Sequence, residues 1–139
     1  MSDSLPQAWY RYVAATAELR RDVRDWLVFV ASDPHGLDLV EVTRITRRLV
    51  GQLRHVQDQV AEVQHVIPQV AGDESAILRL RLTTVDAYVA VAIHELERYI
   101  RGDVTTPGGE WLANLDIAIV DSLAAHKALV ARDLDPPMH

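Results

Sequence analysis

The chain has 139 residues, enough for one domain in which roughly two-thirds of the unfolded surface is buried on folding. Its 20 acidic residues against 14 basic ones leave a formal charge of −6, which disfavours an electrostatic grip on phosphate backbones and so general nucleic-acid binding. Cysteine is absent, which excludes disulfides, thiolate catalysis and cysteine-ligated zinc or iron–sulfur clusters.

The opening stretch MSDSLPQAWYRYV has neither the basic start nor the apolar run of a secretory signal, and no later apolar run is long enough to span a bilayer. The expectation is a cytoplasmic protein that does not enter a membrane. A first helix is predicted over residues 5–31. Ser4 and Gln7 have the spacing of a capping box, and Trp9, Tyr12, Val13, Thr16, Leu19, Val23, Trp26, Leu27 and Val30 follow at helical period. Glu18, Arg21, Asp22, Arg24 and Asp25 fill the opposite, solvated face. Ser32-Asp33-Pro34-His35-Gly36 breaks the pattern.

A second helix is predicted over 37–71, with Val42, Ile45, Leu49, Leu53, Val56, Val60, Val63, Ile67 and Val70 on one side. Pro68 should kink or close it. Gly72-Asp73 reads as a left-handed stop followed by an N-cap. The third helix, 74–101, has the broadest apolar arc. Leu78, Leu82, Val85, Val89, Ala92, Leu96 and Tyr99 form its line, Ile93 and Ile100 widen one flank, and Ile77, Tyr88 and Val91 the other. An arc that wide needs covering from more than one side, which places this helix at the centre. Gly102 ends it, and Thr106-Pro107 can open a last helix over 110–131. Four long amphipathic segments joined by short breaks predict an all-α, antiparallel up-down-up-down four-helix bundle forming a single domain.

Four sets of residues are candidates for function. Asp86, at the edge of the third helix's stripe, and His126, on the inward line of the last helix, come to similar heights and predict a buried polar layer. Trp9, Tyr10, Trp26 and Trp111 exceed what one slender core should cover and predict an interaction surface on the first or last helix. Glu62 with His65, and His94 with Glu97, have metal-binding spacing, yet both histidines point away from the apolar stripes, so neither a metal nor a cofactor is expected. Arg48 and His55 lie almost two turns apart on one face of the second helix, with Gln52 and Gln59. This spacing resembles the Arg-then-His signature of the HEPN ribonucleases, although Leu49 stands where that family has a polar residue. The resemblance covers one motif and implies RNA cleavage by Arg48 and His55; the alternative for the same residues is a solvated helix face.

The apolar stripes and the lack of a convergent site point away from an enzyme. They favour a helical interaction or regulatory module whose partner is a protein, including a second copy of itself. An acidic antitoxin or immunity protein steered to a basic partner, and a HEPN-like ribonuclease, are the alternatives.

Overall fold

A computed structural model describes residues 4–32, 39–67, 72–102 and 110–134. They form four helices: α1 (Leu5–Ser32), α2 (Leu39–Val66), α3 (Asp73–Ile100) and α4 (Glu110–Leu134). No strand occurs among the described residues. Bonds between helices fix their directions. Trp26 Nε1 donates to Thr46 Oγ1 at 3.0 Å and Gln52 Nε2 to Asp22 at 3.0 Å, so α2 descends as α1 rises. Arg54–Glu97 and Gln64–Thr83 do the same for α2 and α3, and Tyr12–Ser122 with Arg20–Asp116 for α1 and α4. The four-helix bundle is antiparallel, as its period and short breaks predict.

The local rules that start and stop each helix are visible. At α1 the capping box closes in both directions, Ser4 N–H to Gln7 Oε1 at 3.1 Å and Gln7 N–H to Ser4 Oγ at 3.4 Å. The start of α3 differs from expectation: Gly72 is extended (φ −137°, ψ 144°) and takes the cap position itself, while Asp73 is already helical. Asp73 and Glu74 then lie in the first turn, where carboxylates complement the helix dipole. At the other end Gly102 adopts φ 80°, and its N–H reaches back to Tyr99 O at 3.1 Å, tightening the last turn. The helical span of α2 ends at Val66, short of the predicted 71. The ring of Pro68 disfavours helical backbone at the preceding Ile67, and Arg79 of α3 donates to Ile67 O at 3.3 Å, satisfying a carbonyl at that end. Pro68 itself, the 33–36 break and the Thr106-Pro107 start lie outside the described residues.

The predicted core line of α3 is enclosed as far as Leu96: Leu78, Leu82, Val85, Val89, Ala92 and Leu96 have no accessible surface, and Tyr99 is half-buried. α2 and α4 pack on either side of it, and α1 closes the bundle across α2. On α4 the buried Ala118, Ser122 and Ala125 recur one turn apart, so a small surface meets α3 and the two helices pair along their length. α1 and α4 meet at only a few points. That seam is therefore the open side of the bundle.

Each enclosed Leu or Val contributes about 1.5–3 kcal/mol through burial, so the α3 line is the main source of cohesion. Leu82→Ala is expected to lower unfolding free energy by about 2–5 kcal/mol in urea titration. Val28→Ala, on the exposed side of α1, should change it by less than about 0.5 kcal/mol.

Candidate functional site

Polar groups do enter the core, but through other residues than those expected. Tyr12 and Ser122 are buried, and their oxygens are 2.7 Å apart. Ser122 Oγ donates to the Ile119 carbonyl at 2.6 Å, so the shared proton of the pair is the phenol's: Tyr12 O–H donates to Ser122. Burial pushes the Tyr12 phenol up to about 12, offset in part by the Ser122 hydroxyl, which can turn to donate to a phenolate. Beside this pair Trp9 lies 4.9 Å from the Tyr12 ring and stacks face to face on His126, centroids 3.9 Å apart and planes within 9°. Partial burial against that indole lowers the His126 pKa, because the imidazolium is poorly solvated there.

The predicted Asp86–His126 layer does not form. Asp86 is exposed on α3, and among the described residues no hydrogen bond joins it to His126. Asp86 sits about 60° round the helix from Val89, at the margin of the stripe, and no neighbouring helix covers it. Ser122, in step with Leu115, Ile119 and His126, was the sequence signal for the true partner: a hydroxyl on an apolar line.

The predicted aromatic surface is also corrected. Trp9, Trp26 and Trp111 are buried in the core, and only Tyr10, at 76% exposure, is open. Two of the three indoles are matched, Trp9 by His126, and Trp26 by a hydrogen bond to Thr46 and an edge-on contact with Tyr99 at 6.1 Å. Trp111 packs into the same cluster, although its Nε1 and Gln59 Oε1 have no hydrogen-bond partner among the described residues.

Arg48 and His55 stand exposed on the outer side of α2, and no hydrogen bond links them among the described residues. Arg48 borders a shallow depression between α1 and α2, with Arg21, Asp25 and Trp26 around it. Glu62, His65 and His94 are exposed, and Glu97 is held by Arg54 at 2.9 Å. Among the described residues, no three His, Asp or Glu side chains gather closely enough to hold a metal ion. The open α1–α4 seam forms a groove floored by Leu19, Leu115 and Ile119, with the Arg20–Asp116 ion pair and Arg24 on its rim. It can shelter an apolar group but brings no nucleophile, base or acid to a common point. The chain matches no family model, no curated protein and no solved structure.

The polar layer makes two predictions. Tyr12 should ionise near pH 12 in an absorbance titration of the folded protein, and Tyr12→Phe should remove that step and cost about 0.5–1.5 kcal/mol. For His126 the folded state favours the neutral ring, so the unfolded chain binds the proton first. Its contribution is complete above the ordinary pKa of 6.5 and is lost as pH falls below it. Urea midpoints should drop between about pH 7.5 and about pH 5, and His126→Phe, which keeps the stack, should flatten part of that slope.

Proposed function

We propose that the protein is a non-enzymatic helical interaction module that associates with a second copy of itself through the outward sides of α3 and α4. The observation that carries this reading is apolar surface on the wrong side of two helices. Ile77 (46% exposed), Leu80 (62%) and Val91 (45%) lie on α3 away from its enclosed line, and α4, packed beside it, exposes Ile117 (58%). The α2 surface is built differently: Arg44, Arg47, Arg48, Arg54, His55, Asp58, Glu62 and His65 are its exposed charged residues and histidines, and Val40 at its start is its single exposed large apolar side chain among the described residues. A helix that is apolar on both sides is one that is covered on both sides, and a contiguous apolar patch rimmed by polar residues marks an association surface.

A second copy is the simplest cover, because a two-fold axis lets one patch serve both partners. The half-solvated bundle then splits its labour: α2 keeps the assembly soluble and α3 with α4 joins it. The association is driven by apolar burial, so it differs in kind from an acidic protein steered to a basic partner.

Sedimentation equilibrium tests this directly. The parent chain should be a dimer whose affinity changes by less than about twofold between low and high salt. Leu80→Glu combined with Ile117→Glu should be monomeric with an unchanged helical circular dichroism spectrum. A parent chain that stays monomeric at high concentration overturns the proposal.

A further inference from the structure

The α1–α4 seam is bridged in one half and unbridged in the other. The Trp9–His126 stack, the Tyr12–Ser122 bond and the Arg20–Asp116 ion pair follow one another along it. Beyond the ion pair the bridges stop, and a groove of about 350 Å³ takes their place, a volume at the lower end of the range for small-molecule sites. Leu19, Leu115 and Ile119 form its buried floor. Val23 and Leu112 are half-buried and Leu27 is 40% exposed, so the apolar surface opens progressively away from the bridge.

Charge on the rim is not balanced. Arg20 Nε donates to Asp116 at 2.7 Å, and those two charges cancel. One turn further along α1 stands Arg24. One turn back along the antiparallel α4, where a second acid would continue the ladder, stand Leu112 and Ala113. Arg24 has no hydrogen bond or ion pair among the described residues. On a chain that is acidic as a whole, the groove thus carries one unanswered guanidinium beside an apolar floor.

We infer that this groove is a binding site for a small aliphatic carboxylate, whose chain lies on Val23, Leu27 and Leu112 and whose head group meets the Arg24 guanidinium. The tail covers apolar surface that the lone chain leaves in water. The carboxylate supplies the acid that α4 lacks, and a guanidinium can hold it through two parallel N–H donors. The ion pair decides against an extended occupant: a helix or strand laid along the seam must cross the Arg20–Asp116 bridge, whereas a small molecule ends beside it. The site does not rest on the self-association proposed above.

Isothermal titration calorimetry with straight-chain acids, kept below the concentrations at which they form micelles, tests the site. Hexanoate, octanoate and decanoate should bind saturably, one to each chain, with affinity rising about two- to fourfold for each methylene added until the floor is covered. Octanol, uncharged and of the same length as octanoate, should bind about fivefold or more weakly. Arg24→Glu should lower octanoate affinity by about fivefold or more and leave octanol unchanged, and Arg24→Lys should retain most of it. Ala113→Trp, which lays a ring across the groove from an exposed position, should abolish binding of both with an unchanged helical circular dichroism spectrum.

Absence of saturable binding by all three acids overturns the inference, as does equal affinity of octanoate for Arg24→Glu and for the parent chain. Octanol binding as tightly as octanoate overturns the carboxylate assignment. Capture of the parent chain by phosphatidylglycerol vesicles, with no binding of the free acids, would make the occupant a membrane surface. Dissociation of a dimeric parent chain by Ala113→Trp would make it a second copy. Either of these results also overturns the inference.

Discussion

The burial of one line of side chains on α3 is the constraint on which the rest depends. Leu78 through Leu96 lie on a single stripe with no accessible surface, and satisfying that stripe requires α2 on one side and α4 on the other. Once both are in place, α1 has one remaining role, to close the bundle, and it does so chiefly against α2. The open α1–α4 seam is the consequence of that order of priority. It is bridged at separate points by Tyr12–Ser122, by the Trp9–His126 stack and by the Arg20–Asp116 ion pair, and it is left as a groove elsewhere.

The second face of α3 follows from the same helix and is what gives the molecule a direction. A central helix that needed only to fill a core would have charged residues outside its stripe, as α2 does. Instead α3 carries a second, shorter apolar line, and α4 exposes Ile117 and Val120. The surface of α2 is therefore mostly charged, whereas α3, α4 and also α1, through Tyr10, Val13, Leu27 and Val28, expose apolar side chains. The dimerisation proposed here through α3 and α4 would cover hydrophobic residues that a lone chain exposes.

Much of the fold was legible in the chain because helical period is a strong signal over long segments. The α3 line is enclosed from Leu78 to Leu96, with Tyr99 half-buried, and the capping box at Ser4 and the stop at Gly102 both form, since these two depend only on neighbours in sequence. What failed depended on distances between helices. The wheel puts Asp86 at the margin of a stripe, and whether a margin is covered is decided by how near the next helix comes. The burial of Trp9, Trp26 and Trp111 is hidden from the sequence for a related reason. A list of aromatic residues carries no measure of what a core can hold, whereas flat or polar neighbours on other helices make room for Trp9 and Trp26. Ser122 was overlooked because a small hydroxyl on an apolar line is indistinguishable in sequence from an alanine-like filler until Tyr12 is seen opposite. The flank formed by Ile77 and Val91 is exposed because only two helices, α2 and α4, lie against α3.

Hydrogen exchange measured residue by residue, at low and at high protein concentration, tests most directly the claim that α3 has two covered faces. The amides from Leu78 to Leu96 should be the slowest in the molecule at both concentrations, and protection of the stretch from Ile77 to Val91 should increase as concentration rises, with α2 unchanged. Exchange in α3 as fast as at the helix ends would contradict its place at the centre, and concentration-independent protection throughout would contradict the second face.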